Sequence, residues 1–449
     1  MQLKIYTAEF RTNLRLAWPV MTGSIGHLLV GLIDDIMVGR LGPIQLAATS
    51  LGNSLIFIAI SIGIGFSFAI TPLIAESDGE NNSKKGRLQF QHSMLLMIGL
   101  AFVLVAFLFL IEPILYHLKQ PKEVVVLAIP YFEIVAISMF PMIIFQGLKQ
   151  FTDGLSQTKY AMQATLITNV INIILNFILI YGWWIFPEMG IVGAAVGTLV
   201  SRIIMVIFML YVLHNKAVFK SYLIPLQRNE FQKKIFKKII YLGIPSALQM
   251  LFEVGVFTAS ILLAGVIGAY PQAANQIAIK SAATTFMISI GIGVATTIRV
   301  SNQKGLKQFI DLRRIAISNF LLIFIIMAIF TILFIVFKGG IPQLFTANNE
   351  VIEIASILLI VAGFFQISDG VQAVVLAALR GLQDVIIPTY LTFFAYWIVG
   401  FPISYYLGLH TELKTLGIWI GLLISLTLSA LLLFLRFQYL SKKLISSVI

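Results

Sequence analysis

Along this chain, runs of twenty or more mostly apolar positions alternate with short polar connectors. The apolar runs lack the two-residue alternation of a lipid-facing strand, and they are far too apolar for disorder. A bilayer-crossing helix needs about 20 mostly apolar residues. Twelve such stretches can be marked, roughly at 16–38, 46–74, 91–114, 125–149, 160–183, 190–214, 238–266, 272–298, 313–337, 351–378, 388–408 and 417–437. Breaker residues fill the connectors, as at Gly42-Pro43, Asp78-Gly79, Gln120-Pro121 and Gly339-Gly340. The pattern predicts an all-α polytopic membrane protein with twelve transmembrane helices. The first stretch follows Lys4 and Arg11 as a leader peptide would, but its apolar part is too long for one and is read as span 1.

Composition narrows the class further. Hydrophobic residues make up 59% of the chain and charged residues 11%, against about 25% charged in an average soluble domain. A soluble fold of this length could not hide so much apolar surface. Without a cysteine, the chain has no disulfide, thiolate metal site or thiol nucleophile. The formal charge of +12 raises the question of a nucleic-acid partner, and its placement answers it. Of the 31 Lys and Arg, 24 fall on the side that holds the N-terminus. The opposite side holds Arg40, Lys119, Lys122, Lys338 and Lys414, and two lie inside helices, Arg202 and Lys280. Lys and Arg accumulate on the cytoplasmic side, so both termini are expected in the cytoplasm. The basic excess records topology, and no nucleic-acid partner is expected.

The chain also compares with itself at an offset of about 227. Leu14-Arg-Leu-Ala-Trp-Pro19 lines up with Ile240-Tyr-Leu-Gly-Ile-Pro245, and Ile60-Ser-Ile-Gly-Ile-Gly65 recurs as Ile288-Ser-Ile-Gly-Ile-Gly293. Six spans per half put both halves into the membrane in the same sense. The expectation is two six-helix bundles in a parallel pseudo-two-fold repeat, with substrate sites between the halves. The bundles are placed at 1–214 and 238–449, joined by a basic cytoplasmic linker at 215–237.

Ionisable groups at membrane depth are expensive and therefore functional candidates. Asp34 lies near the outer end of span 1, next to Asp35. Span 5 carries Asn169, Asn172 and Asn176 at a spacing that sets three amides on one face, and span 6 adds Thr198. A carboxylate facing amide and hydroxyl oxygens can hold a proton or a hard cation such as Na⁺, although amides also serve to glue membrane helices. Glu253 and Asp369 sit in the middle of spans 7 and 10, without a neighbouring cation in sequence. Lys280, four residues after Gln276 in span 8, needs a partner, and Glu253 or Asp369 is the expected one. Phe365 lies one turn before Asp369, where an aromatic face can meet a cation or lipid. His27, two turns before Asp34, can share its proton or simply pack. Glu133 and Arg202 are weaker candidates, and Trp183 and Trp184 suit the membrane interface.

The sequence contains no GxxxxGK[ST], GxGxxG or HExxH pattern. Neither ATP drive, dinucleotide chemistry nor zinc hydrolysis is expected, nor is any bound cofactor or enzymatic activity.

Taken together, the six-plus-six spans, Ile33-Asp-Asp-Ile-Met-Val-Gly-Arg40, the Glu253 segment and Asp369 followed by Ala378-Leu-Arg-Gly381 resemble the multidrug and toxic compound extrusion (MATE) family, in its NorM-like branch. The resemblance implies a secondary active exporter of cationic, amphipathic drugs and dyes, coupled to Na⁺ or H⁺. It assigns Asp34, Asn172, Asn176 and Thr198 to a first cation and proton site. Glu253 and Asp369 fall to a second, with Gln276 and Phe365 beside them. Many relatives carry tyrosine at the place of Phe365 and a neutral residue at that of Lys280, so this chain tilts toward H⁺. The expected setting is the cytoplasmic (inner) membrane of a bacterium, the protein acting as a monomer in the lipid bilayer. The alternative is a flippase for lipid-linked saccharides of the same superfamily, which would want a more basic cavity.

Overall fold

Each apolar run extends as helix beyond its lipid-matched part, because backbone hydrogen bonds continue to form where the chain meets polar headgroups. A computed structural model describes residues 2–117, 120–183 and 185–447; Lys119 and Trp184 lie outside them. Twelve helices among these residues are long and apolar enough to cross a membrane. They are α1 (Lys4–Gly39), α2 (Pro43–Gly79), α3 (Ser83–His117), α4 (Lys122–Gly154), α5 (Thr158–Tyr181) and α6 (Gly190–Asn215). In the second half come α7 (Lys233–Ile267), α8 (Ala269–Gly305), α9 (Phe309–Val336), α10 (Asn349–Gly381), α11 (Ile386–Leu409) and α12 (Thr415–Ser446). No strand occurs among the described residues, and each helix overlaps one of the twelve expected stretches. Local chemistry sets several ends. Asn82 and Asn348 cap α3 and α10 by accepting from Lys85 N (3.0 Å) and Val351 N (3.1 Å). Gly182 closes α5 in the left-handed region, φ 67°.

The packing repeats along with the sequence. In the first half α4 packs against α2, α3 and α6, while α5 pairs with α6. In the second half α10 packs against α8, α9 and α12, and α11 pairs with α12. Adding six to each helix of the first set gives the second.

The described chain forms two compact units, residues 22–247 and residues 1–21 with 248–449. It passes from one to the other two residues after Pro19 and again two residues after Pro245. Both prolines are internal to helices, at the two places that the sequence repeat aligns. Each unit therefore contains a segment that, counted by spans, precedes a helix of the other half.

Polar bonds anchor both exchanged segments. In the unit 1–21 with 248–449, Arg299 and Arg314 reach Glu9 at 2.8 and 3.2 Å. Asn13, fully buried, accepts from Arg299 and donates to Ser318 Oγ at 3.3 Å. In the unit 22–247, Arg87 at the start of α3 pairs with Glu230 and donates to the carbonyls of Ile224 and Pro225. Gln91 donates to the Tyr222 and Ile224 carbonyls, and Gln232 N donates to His92 Nε2 at 3.1 Å. The fully buried Phe219 ring lies against Phe151 and Tyr160. The linker is thus fastened to the lobe it leaves.

Candidate functional site

Within the unit 22–247, helices α1, α5 and α6 build a polar cluster among apolar side chains. Asn172 and Asn176, one turn apart on α5, are buried, while Asn169 on the same stripe is half-buried. Asn176 Nδ2 donates to Asp34 Oδ1 at 2.8 Å and to Asn172 Oδ1 at 3.3 Å. Asn172 Nδ2 donates in turn to Ser201 Oγ at 3.3 Å, and Ser201 donates to the Thr198 carbonyl at 2.9 Å. Asp34, Asn176 and Asn172 are therefore linked directly, and the chain runs on to Ser201, a residue that sequence reasoning missed, while Thr198 enters only through its backbone carbonyl. Ser201 follows Thr198 by three on α6, and that helical spacing was the available signal.

The approach of α6 to α5 depends on glycine. A Cβ at Gly193 would lie 2.6 Å from the Leu179 carbonyl carbon and oxygen, and one at Gly197 would overlap Asn176 Oδ1. Only the missing side chains let the α6 backbone close on the amide stripe. Asn176 Oδ1 and Asn169 Nδ2 are buried and make no hydrogen bond among the described residues, so an acceptor remains beside the carboxylate, while the donor lies two turns along the stripe, near Gly26. Tyr181 Oη on the same helix donates to the Met37 carbonyl at 2.9 Å, which fixes the C-terminal end of α1 against α5. Arg202 donates to Ser138 Oγ at 2.7 Å, and its charge acts on Asp34. His27 is exposed and makes no hydrogen bond to Asp34 among the described residues. Seven residues of helix separate the two by about 10 Å, too far for direct proton exchange.

In the other unit, α7 and α10 bring Glu253 and Asp369 within electrostatic reach of each other. Asp369 is buried, and its Oδ1 makes no hydrogen bond among the described residues. The cation acting on Glu253 is Arg380. Lys280 is exposed, and among the described residues no ion pair joins it to either carboxylate. The expectation of a Lys280 partner is therefore not met among the described residues: the side chain is exposed and joins neither carboxylate. Gln276, one turn earlier, is half-buried. Phe365, 1% exposed, lies edge-on to Trp419 (5.2 Å) and near Phe257 (6.0 Å) in the apolar core. Among the described residues it meets no cation, and its burial leaves no face for lipid.

Sequence reasoning did not anticipate two neighbours of this pair. Arg380 ends α10, three turns after Asp369, and its Nη2 donates to Gln249 Oε1 at 3.1 Å. Tyr396 is buried within a wider, π-helical stretch of α11, Phe394–Gly400. Such stretches often mark functional positions in helices. This one is docked on α7: Trp397 Nε1 donates to the Phe252 carbonyl at 3.3 Å, and a Cβ at Gly255 would lie 2.8 Å from Trp397. The docking holds the Tyr396 hydroxyl within electrostatic reach of Glu253, Asp369 and Arg380. Each unit thus carries a carboxylate centre at membrane depth. One is built on an amide and hydroxyl chain, the other on two carboxylates with a guanidinium and a phenol.

Comparison with known proteins is consistent between sequence and fold. The MatE family model matches twice, over residues 19–178 and 245–406. The chain is 32% identical over 443 residues to a probable multidrug resistance protein NorM of Rhizobium meliloti, covering 96% of this chain and 94% of that one. To the multidrug resistance protein NorM of Photobacterium profundum it is also 32% identical, covering 97% and 96%. Among solved structures, a multidrug resistance MATE family transporter of the MOP superfamily in an outward-facing conformation aligns with TM-score 0.88 at 24% identity, over 97% of this chain and 96% of that one. A eukaryotic MATE transporter aligns with the same score at 19% identity, over 99% and 100%. These structural likenesses speak for the fold.

Proposed function

The chain belongs to the MatE family of multidrug and toxic compound extrusion transporters, and from that premise we propose a cation-coupled exporter of cationic amphipathic drugs and dyes. It is a multi-pass membrane protein of the multidrug-efflux type. The finer reading is antiport by alternating access, in which loading of the membrane-depth carboxylates favours one conformation and the drug favours the other. Asp34, with Asn172, Asn176 and Thr198, is the first loading site; Glu253 and Asp369 form the second. The coupling ion is H⁺ in preference to Na⁺. The setting is a bacterial inner membrane with both termini in the cytoplasm, and the protein works as a monomer.

The observation that carries this reading is the bond between Asn176 and Asp34. It joins a carboxylate to a buried amide stripe on another membrane helix, with an acceptor oxygen left over. Such a group neutralises readily with a proton or a small cation and offers nothing to a nucleotide or a nucleophile.

Dye efflux from proteoliposomes tests the proposal, first under a proton gradient alone and then under a sodium gradient alone. Efflux driven by protons alone supports it. Efflux driven by sodium alone would replace H⁺ with Na⁺ at the same residues, and efflux under neither gradient would overturn it.

A further inference from the structure

Arg202 sits in the middle of α6, where a charge without an anion is expensive. The repeat does not require it: α12, the matching helix of the second half, has no basic residue before Arg436. The side chain belongs to the packed side of its helix. Met205 and Met209, on the same face of α6, are buried, whereas Ile203, Ile207 and Leu210 form the exposed side. Arg202 Nη1 donates to Ser138 Oγ at 2.7 Å. Ser138 is wholly buried on α4 and is itself fixed by donating to the Val135 carbonyl at 2.6 Å. That bond aims the guanidinium and occupies one of its five N–H groups. Nε and Nη2 make no hydrogen bond among the described residues and are not enclosed by protein. They lie on one edge of the guanidinium, the edge that a carboxylate meets with two parallel bonds.

No carboxylate of the chain takes that edge. Asp34 Oδ1 is held by Asn176 from α5, and among the described residues no ion pair joins Asp34 or any other acid to Arg202. Gly197 packs on Asn176, and Arg202 follows it by five residues, so its backbone stands about 7.5 Å along α6 from the level of that bond. The unit 22–247 therefore presents an acid tied to α5 and an open guanidinium edge tied to α4. We propose that Arg202 is an anion subsite beside the first loading site: it receives the carboxylate of a zwitterionic substrate while Asp34 faces the cationic end. The proposal rests on the reading of Asp34 as a cation site and extends the substrate class from cations to zwitterions. An arginine suits the role because it stays charged and its planar fork matches a carboxylate in shape.

The test is equilibrium dialysis of the purified full-length protein with two dyes. Rhodamine 110 is a zwitterion with a free carboxylate, and rhodamine 123 is its cationic methyl ester. Arg202→Gln is expected to bind rhodamine 110 about tenfold more weakly, the effect of losing one charge-assisted pair. It should bind rhodamine 123 at least as tightly as wild type, since a like charge has been removed. Arg202→Lys keeps the charge without the fork and should fall between. Ser138→Ala keeps the arginine but removes its aim, and should weaken rhodamine 110 alone. These two variants give the same reading if the glutamine variant does not survive purification. Equal weakening of both dyes would mark a structural arginine and overturn the proposal, and so would unchanged binding of rhodamine 110. Asp34→Asn separates the two levels. If it leaves rhodamine 123 binding unchanged, the cation-site reading fails and takes the paired site with it. If it weakens rhodamine 123 while Arg202→Gln spares rhodamine 110, the anion subsite alone is lost.

Discussion

Asn176 donates to Asp34 at 2.8 Å across 142 residues of sequence, and Gly197 on a third helix is the reason the amide can sit there. A hydrogen bond to a charged group contributes about 1.5–3 kcal/mol. Asn176→Ala should therefore lower efflux about tenfold or more while the protein still inserts in the membrane. Gly197→Ala touches no charged group, yet its methyl would overlap Asn176 Oδ1 and should reproduce most of that loss. Efflux assays on both variants check this; wild-type rates in Gly197→Ala would mean that the amide's position is immaterial.

The twelve spans were legible because a membrane helix writes its length into the sequence as an unbroken apolar run. Asp34, Glu253 and Asp369 were legible because a charge inside such a run stands out. Their partners were not. Nothing near Arg380 in sequence points to Gln249, 131 residues earlier, and Arg380 read as one more basic residue at a cytoplasmic helix end. Tyr396 sits in a stretch whose widened turn leaves no compositional mark. Phe365 shows the converse failure: its one-turn spacing from Asp369 was read correctly, but adjacency on a helix does not say which neighbouring helix covers the ring.

The linker's attachment is expected to loosen in acid. The Gln227 backbone N–H and the Arg87 guanidinium both bond the Glu230 carboxylate and hold its pKa below the ordinary value. A group so depressed stabilises the folded attachment above the unfolded pKa, about 4.3, and that contribution is lost as pH falls through the folded value. Hydrogen-exchange protection over residues 223–232, corrected for the intrinsic pH dependence of exchange, should stay flat from about pH 8 to 5 and fall below about pH 4. In Glu230→Gln the exchange should be faster at neutral pH and lose the acid step. An acid step that persists in the variant would place the sensitive group elsewhere.

Placing a tyrosine at position 365 is expected to harm stability without conferring sodium dependence. The Phe365 ring lies between Trp419 and Phe257, with 1% of its surface exposed. A hydroxyl added there finds no water, and burying it unpaired costs about 1–3 kcal/mol. Phe365→Ala removes the ring and should cost about 3–5 kcal/mol through the cavity it leaves. Thermal melting of purified variants should rank wild type above Phe365→Tyr above Phe365→Ala. Sodium-driven efflux in Phe365→Tyr, where wild type shows none, would mean that the ring turns toward the carboxylates.

The N-terminal segment should prove energetically part of the unit it packs in. Glu9 bridges Arg299 and Arg314, and its side chain is 16% exposed. Pairs on open surfaces couple by about 0.2–1 kcal/mol. This bridge is shielded and shares Arg299 with the buried Asn13, so a double-mutant cycle of Glu9→Gln with Arg299→Gln should give more than about 1 kcal/mol. Salt screens exposed charges most, so raising ionic strength to about 1 M should reduce that coupling only in part. The single variant Glu9→Gln should destabilise, because Arg299 then loses its carboxylate partner, while Arg314 keeps Asp311 at 3.1 Å. A coupling near zero would mean that residues 1–21 merely rest against α9, and that the crossing near Pro19 is held by the apolar contacts of Ala17 and Met21 alone.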